Sequence, residues 1–150
     1  MKHAFWPALL AILAFLGILA SGCRKQTYPI GQFPEDQLII GDGGGFSGLE
    51  RQWILLPGGQ LFQGDNRSDS LKTLPSLSAG KTRRLLKEAD AAFAAAPEVN
   101  LPGNRYYFMR RITAAGAKSM TWSEAAQITP ELKAVYDQFR QYINQPENKN

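Results

Sequence analysis

Few side chains in this chain are able to do chemistry. Among 150 residues there is one histidine, His3, and one cysteine, Cys23. Serine or cysteine nucleophiles activated by histidine need an imidazole beside them, and zinc sites of the Cys/His type need several such ligands. A disulfide needs a second cysteine. Carboxylates are then the main groups left for acid or base work, and Asp42, Glu50, Asp65 and Asp69 are the first to consider. They stand among glycine, serine and asparagine, where aspartate is favoured for turn geometry alone. Glycoside hydrolysis would need two positioned acids about 5–10 Å apart, and the spacing of these four indicates no such pair. The inventory predicts a non-enzymatic protein with no metal site and no cofactor.

Cys23 ends a distinctive N-terminal stretch. Lys2 and His3 are followed by an uncharged run, Ala4–Gly22, whose last residues are the small Ser21 and Gly22. A positive end, an apolar core and a small-residue cut site make an export signal. The sequence Leu19-Ala20-Ser21-Gly22-Cys23 resembles the bacterial lipobox. That resemblance implies removal of residues 1–22, acylation of Cys23 with palmitate-type chains, and a membrane anchor in the bacterial cell envelope. Each buried methylene contributes about 0.8 kcal/mol, so two or three chains hold a protein firmly. Arg24, where sorting rules would otherwise place Asp, implies the periplasmic face of the outer membrane rather than the inner membrane. The alternative is an uncleaved helix, since a span needs about 20 residues. It leaves the small residues before the cysteine unexplained.

The second unusual feature is a glycine cluster. Gly41, Gly43, Gly44, Gly45 and Gly48 fall within eight residues, more than a simple hairpin turn requires. Two readings stand side by side. The stretch is a wide bulged turn between strands, or Asp42, Gly43, Gly44, Gly45, Phe46, Ser47 and Gly48 form a binding loop with Phe46 as an apolar plug. Gly43–Gly48 formally fits G-x-G-x-x-G, but it joins two strands rather than a strand and a helix, so no dinucleotide is expected. Gly80-Lys81-Thr82 resembles the end of a phosphate-binding loop, but Pro75 stands where its first glycine belongs. Lys81 and Thr82 are expected as the exposed first turn of a helix, and no nucleotide partner is expected.

The net charge of +4 becomes +3 when Lys2 leaves with the signal. It is dispersed, and nucleic acid is not an expected partner of an exported protein. Arg83-Arg84 and Arg110-Arg111 are expected as solvated faces.

Elements follow from periodicity. Residues 23–36 read as the lipidated cysteine and a tether, with Pro29, Gly31 and Pro34. Strands are predicted at Gln37–Gly41, Leu49–Leu56 and Gln60–Gln63, with a turn at Pro57-Gly58-Gly59 and a loop from Gly64 to Pro75. Ser78 caps a helix to Ala96, ended by Pro97. Leu101–Asn104 is a turn, Arg105–Thr113 a strand and Lys118–Trp122 its hairpin partner. Along Arg105–Thr113, Tyr107 and Met109 share one face; Tyr106, Phe108 and Arg110 share the other. Thr129 and Pro130 begin a second helix, whose apolar face is Leu132, Val135, Tyr136, Phe139, Tyr142 and Ile143. Residues 146–150 form a polar tail. The order β-β-β-α-β-β-α predicts one α+β domain over 37–145. Its two layers are an antiparallel sheet of four to five strands and two helices on one face. Trp53, Trp122, Tyr106 and Tyr107 are expected mainly in the core, with at most one on a binding surface.

The succession of a strand, Gly44-Gly45-Phe46-Ser47-Gly48, a second strand, a helix, a hairpin and a closing helix covers about Gln37–Ile143. It resembles the emfourin-like group of small proteins, whose members inhibit thermolysin-like metalloproteases. It is also similar to bacterial lipoproteins with a Gly-Gly-Gly-Phe loop. The lipid anchor and the longer Gly64–Pro75 segment depart from that group. The resemblance implies a membrane-anchored binding module that inhibits or regulates an envelope protease through the glycine-rich loop. A second expectation is a structural or assembly lipoprotein, using the open sheet face or the outer face of Thr129–Gln145.

Overall fold

The computed structural model describes residues 27–145. The signal 1–22, Cys23 and the tail 146–150 lie outside the described residues. In chain order the elements are β1 (Gln37–Gly44), β2 (Arg51–Leu55), β3 (Leu61–Asp65), β4 (Ser68–Leu74), α1 (Ala79–Ala95), β5 (Asn100–Leu101), β6 (Arg105–Thr113), β7 (Gly116–Trp122) and α2 (Pro130–Asn144). The strands form one seven-stranded sheet in the order β4-β3-β2-β1-β6-β7-β5. Every pairing is antiparallel except the short β5–β7 contact.

The α+β class and the two helices on one face are as predicted, but the sheet is wider. Gly64–Pro75 is not a loop. Asp65 and Ser68 pair across a two-residue turn, Asn66-Arg67, and β4 becomes the sheet edge. Its sequence, Ser-Asp-Ser-Leu-Lys-Thr-Leu, is mostly polar because edge strands carry polar and charged residues against unwanted pairing. Only Leu71 and Leu74 alternate inward, each packing on a different face of the sheet. The expected turn at 101–104 likewise starts with a paired strand, β5, along β7.

Strand alternation sends two sets of side chains to two faces. One row, Trp53–Ile40–Met109–Met120, runs across β2, β1, β6 and β7. With Leu38, Leu55 and Leu61 it meets Leu85, Ala89 and Phe93 of α1 and Leu132, Val135 and Phe139 of α2. Both helices therefore cover the same face. Their starts are set by Ser78 and Thr129, whose side-chain oxygens accept from the amides of Lys81 and Leu132. Thr82 corrects the expectation of an exposed first turn. It is buried, and its hydroxyl donates to the Ser78 carbonyl at 3.0 Å.

The opposite face carries a second cluster of Ile39, Ile54, Leu56, Phe62 and Phe108. Part of the segment read as a tether covers it. Phe33 lies 4.7 Å from the Phe62 ring. The Gln60 side chain accepts from the Tyr28 amide at 2.7 Å and donates to its carbonyl at 3.1 Å, as a neighbouring strand would. At the end of this strap Asp36 meets Arg111. Arg111 corrects the expectation of a solvated side chain, being 7 % exposed. Burial works against its charge, but the carboxylates of Asp90 and Asp36 outweigh that and raise its pKa. Its Nε donates to Asp90 Oδ1 at 2.7 Å, so one side chain ties β6 to α1 and to the strap.

Phe33→Ala is expected to cost about 2 kcal/mol, below the roughly 3–5 kcal/mol of a fully buried aromatic because the ring is only partly buried. Urea unfolding measures the loss, and faster amide exchange at Tyr28 locates it in the strap.

Candidate functional site

The glycine cluster divides into two structural parts. The strand expected to end at Gly41 continues to Gly44, so Asp42, Gly43 and Gly44 are not loop residues. Asp42 pairs with Arg51 on one side and Tyr107 on the other, Gly43 with Tyr106, and Gly44 with Arg105. Their lack of side chains answers to neighbours. A Cβ on Gly41 would lie 2.1 Å from the Phe108 ring and one on Gly43 2.7 Å from the Tyr106 ring. The two rings of β6 lie over the two glycines of β1 and fill the room that side chains would take. At Gly44, φ is +92° and a Cβ would lie 2.1 Å from the Asn104 carbonyl oxygen.

Gly45 to Gly48 form the turn itself. The Gly48 amide donates to the Gly45 carbonyl at 3.1 Å. Gly45 and Gly48 have φ of +71° and +59°, and Phe46 and Ser47 have no positive φ. A hydrogen-bonded turn with two such central residues and a left-handed glycine after them is of type I. Phe46 occupies its first central position and is fully exposed, at 112 % of the reference accessibility.

The turn is braced from outside. The Gly45 amide donates to the Asn104 carbonyl at 2.5 Å. The Arg67 guanidinium donates to the Ser47 carbonyl, and the Asn66 amide to the Gly48 carbonyl, both at 2.9 Å. Asn66 also bridges to Glu50 in both directions, its side chain accepting from the Glu50 amide and its own amide donating to the Glu50 carbonyl, each at 3.0 Å. Asn66, Arg67 and Asn104 carry no motif. They became partners because the β3–β4 turn and the residues before β6 lie beside the glycine turn. The one signal was Asp65-Asn66-Arg67-Ser68, an Asx-type turn whose Asp65 carboxylate accepts from the Arg67 amide at 2.8 Å.

Three of the four acids considered for catalysis, Asp42, Glu50 and Asp65, accept hydrogen bonds within the fold. Asp42 Oδ1 accepts from Arg51 Nη2 at 2.7 Å and its Oδ2 from Arg140 Nη1 at 3.1 Å. Glu50 accepts from the Tyr106 hydroxyl at 2.7 Å, and that bond, with burial, raises the Tyr106 pKa. Asp69 is exposed on β4. Among the described residues no group of three or more His, Cys, Asp or Glu side chains could hold a metal ion.

Of the four aromatics, Trp53 and Trp122 are buried and Tyr107 is 40 % exposed. Tyr107, Trp122 and Tyr136 pack together with ring centroids 5.2–6.1 Å apart. The Tyr136 hydroxyl donates to the Gly41 carbonyl at 3.2 Å, and burial raises its pKa strongly. α2 thus reaches the strand that carries the turn. No protein-family model matches the chain, and no curated protein is significantly similar to it.

Gly44→Ala is expected to destabilise the domain by about 1–3 kcal/mol through its strained φ and the Asn104 contact. Phe46→Ala is expected to stay within about 0.5 kcal/mol, as a surface change does. Chemical denaturation of the two variants side by side reads the difference.

Proposed function

We propose that the protein is a non-enzymatic, lipid-anchored envelope protein that binds a protein partner through the Gly45–Gly48 turn, with an envelope protease as the partner class. One observation carries the reading: a fully exposed phenylalanine stands at the tip of a turn whose backbone is held at Gly45, Ser47 and Gly48. An exposed aromatic on a fixed backbone loses little conformational freedom on docking, and that preorganisation raises affinity. The turn geometry narrows the mode of engagement. Phe46 is presented as a knob for a pocket rather than along an extended strand, so regulation by docking fits better than mimicry of an extended substrate.

The strap supports the same reading. Tyr28 is bonded to Gln60, at the end of the sheet where β1 begins, and the turn follows the other end of β1. Eight residues of β1 put roughly 25 Å between the two ends. Between Cys23 and Tyr28 the chain can extend by at most about 18 Å. A lipid on Cys23 then keeps the Tyr28 end near the bilayer and points Phe46 away from it.

A second reading has its own observation. A groove of about 870 Å³ between α1 and α2 is floored by Ala91, Ala92, Ala95, Ala134 and Val135, which fits an assembly role for the outer face of α2.

Partners captured from the envelope by the lipidated protein separate the two. Loss of the captured partner in Phe46→Ala, with retention in Ala134→Arg, is the expected result; the reverse pattern assigns the interface to the helix groove. A fluorophore on Phe46→Cys in vesicles is expected to be quenched less by bilayer-embedded acceptors than one on Pro57→Cys, in the β2–β3 turn. Equal quenching would remove the orientation.

A further inference from the structure

Beside the Phe46 turn lies a cleft of about 330 Å³ whose lining includes Asp42, Gly43, Gly44, Arg51, Arg105 and Arg140. Its charged groups come from four elements. Asp42, Arg51 and Arg105 stand on β1, β2 and β6 at positions that face the helix layer, and Arg140 comes from α2. Cross-strand pairing puts Asp42 opposite Arg51 and Gly44 opposite Arg105.

Charge in the cleft does not balance. Asp42 is its only acid, and its two oxygens are each taken by a guanidinium. Arg105 has no ion-pair partner among the described residues and is exposed. Three arginines against one aspartate leave the lining two positive charges in excess. Glu50, close in sequence, does not line the cleft and already accepts from Tyr106. Arginine stays charged at any physiological pH, so the excess is permanent.

The arrangement is also preorganised. The guanidinium of Arg140 lies 4.3 Å from the Trp53 ring centroid and that of Arg51 lies 5.9 Å from it. Stacking and the shared aspartate hold both cations in place before any ligand arrives. Arg105 is the member left free to close on one. Gly43 and Gly44 line the same wall, but the Tyr106 ring and the Asn104 carbonyl already take their side-chain space, so the contact falls to Arg105.

We infer that the cleft binds an acidic side chain of the protein partner, with Arg105 as its principal contact, next to the pocket that takes Phe46. This rests on the turn being the interface and adds the chemistry of what it meets. A carboxylate fits better than a phosphate dianion. Arg51 and Arg140 are already engaged by Asp42, so among the described residues Arg105 is the one guanidinium of the lining with its planar fork unpaired. It takes one carboxylate, and a second negative charge would have to compete with Asp42 for the other two. A positive cleft beside the knob would also speed encounter with an acidic partner surface.

The test needs no partner. The mature, lipidated protein in detergent micelles, labelled with ¹⁵N, is titrated with N-acetyl-glutamate-N-methylamide at constant ionic strength. The corresponding glutamine compound and inorganic phosphate serve as comparators. Saturable shifts are expected at the Gly43 and Gly44 amides and the Arg105 Nε–H with the glutamate compound, and none with the glutamine compound. Arg105→Gln, an exposed change that should leave the melting temperature unaltered, is expected to weaken the response about tenfold or more. No saturable shift, an equal response in Arg105→Gln, or a stronger response to phosphate overturns the inference. Phe46 is untouched throughout, so failure here leaves the outcome of the Phe46→Ala capture standing by itself.

Discussion

The central strand of this sheet has to run where two aromatic rings of its neighbour already lie. Phe108 and Tyr106 of β6 fold over Gly41 and Gly43 of β1, and the Asn104 carbonyl closes on Gly44. A side chain at Gly41 or Gly43 would have to displace the Phe108 or Tyr106 ring, and one at Gly44 would strike the backbone that leads into β6. Much else rests on that close approach. It completes the second-face cluster through Phe108 and places Tyr106 to donate to Glu50. It also brings Asn104 within reach of the Gly45 amide. The glycines lower the intrinsic stability of the strand, and the rings from the next strand restore much of the lost packing.

Asp42 sits inside this glycine run and does the complementary work on the helix face. Its two oxygens join β2 and α2 to β1 through Arg51 and Arg140, while Tyr136 reaches Gly41 one residue away. Helix, sheet and turn are thus fastened together within two residues of the central strand. That fastening gives the turn a fixed base, and the β3–β4 turn gives it a fixed flank. Within the turn, the Phe46 side chain is left fully exposed. The fold gains no apolar burial from Phe46, and the docking proposal rests on this exposed ring being held on a braced backbone.

The strap on the opposite face has two consequences. It covers Ile39, Ile54 and Phe62, which would otherwise be an open apolar sheet face. It also takes up most of the chain between Cys23 and β1. An assembly role through an open sheet face loses its surface where Tyr28 and Phe33 pack. Polar atoms settle the strap as much as apolar ones, because the Gln60 amide and the Asp36 carboxylate fix its two ends.

Local signals in the sequence were enough for the helices, their caps, the first strands and the class of the fold. Ser78, Thr129 and Pro130 act within one turn of chain, and the apolar spacing of Leu132, Val135, Tyr136 and Phe139 does not depend on what it packs against. The alternation in β6 was legible for the same reason, with Met109 and Phe108 on the faces their spacing assigns. Other features depend on partners distant in the chain. β4 is polar because it is an edge, Arg111 is buried because Asp36 and Asp90 converge on it, and residues 28–36 form a strap because Phe62 and Gln60 lie beneath them. The glycine cluster showed both limits. Its composition marked an unusual place. Only the tertiary structure separated the three glycines required by β6 from the two that shape the turn, because steric exclusion by a neighbouring strand leaves no periodicity in the strand that must yield to it.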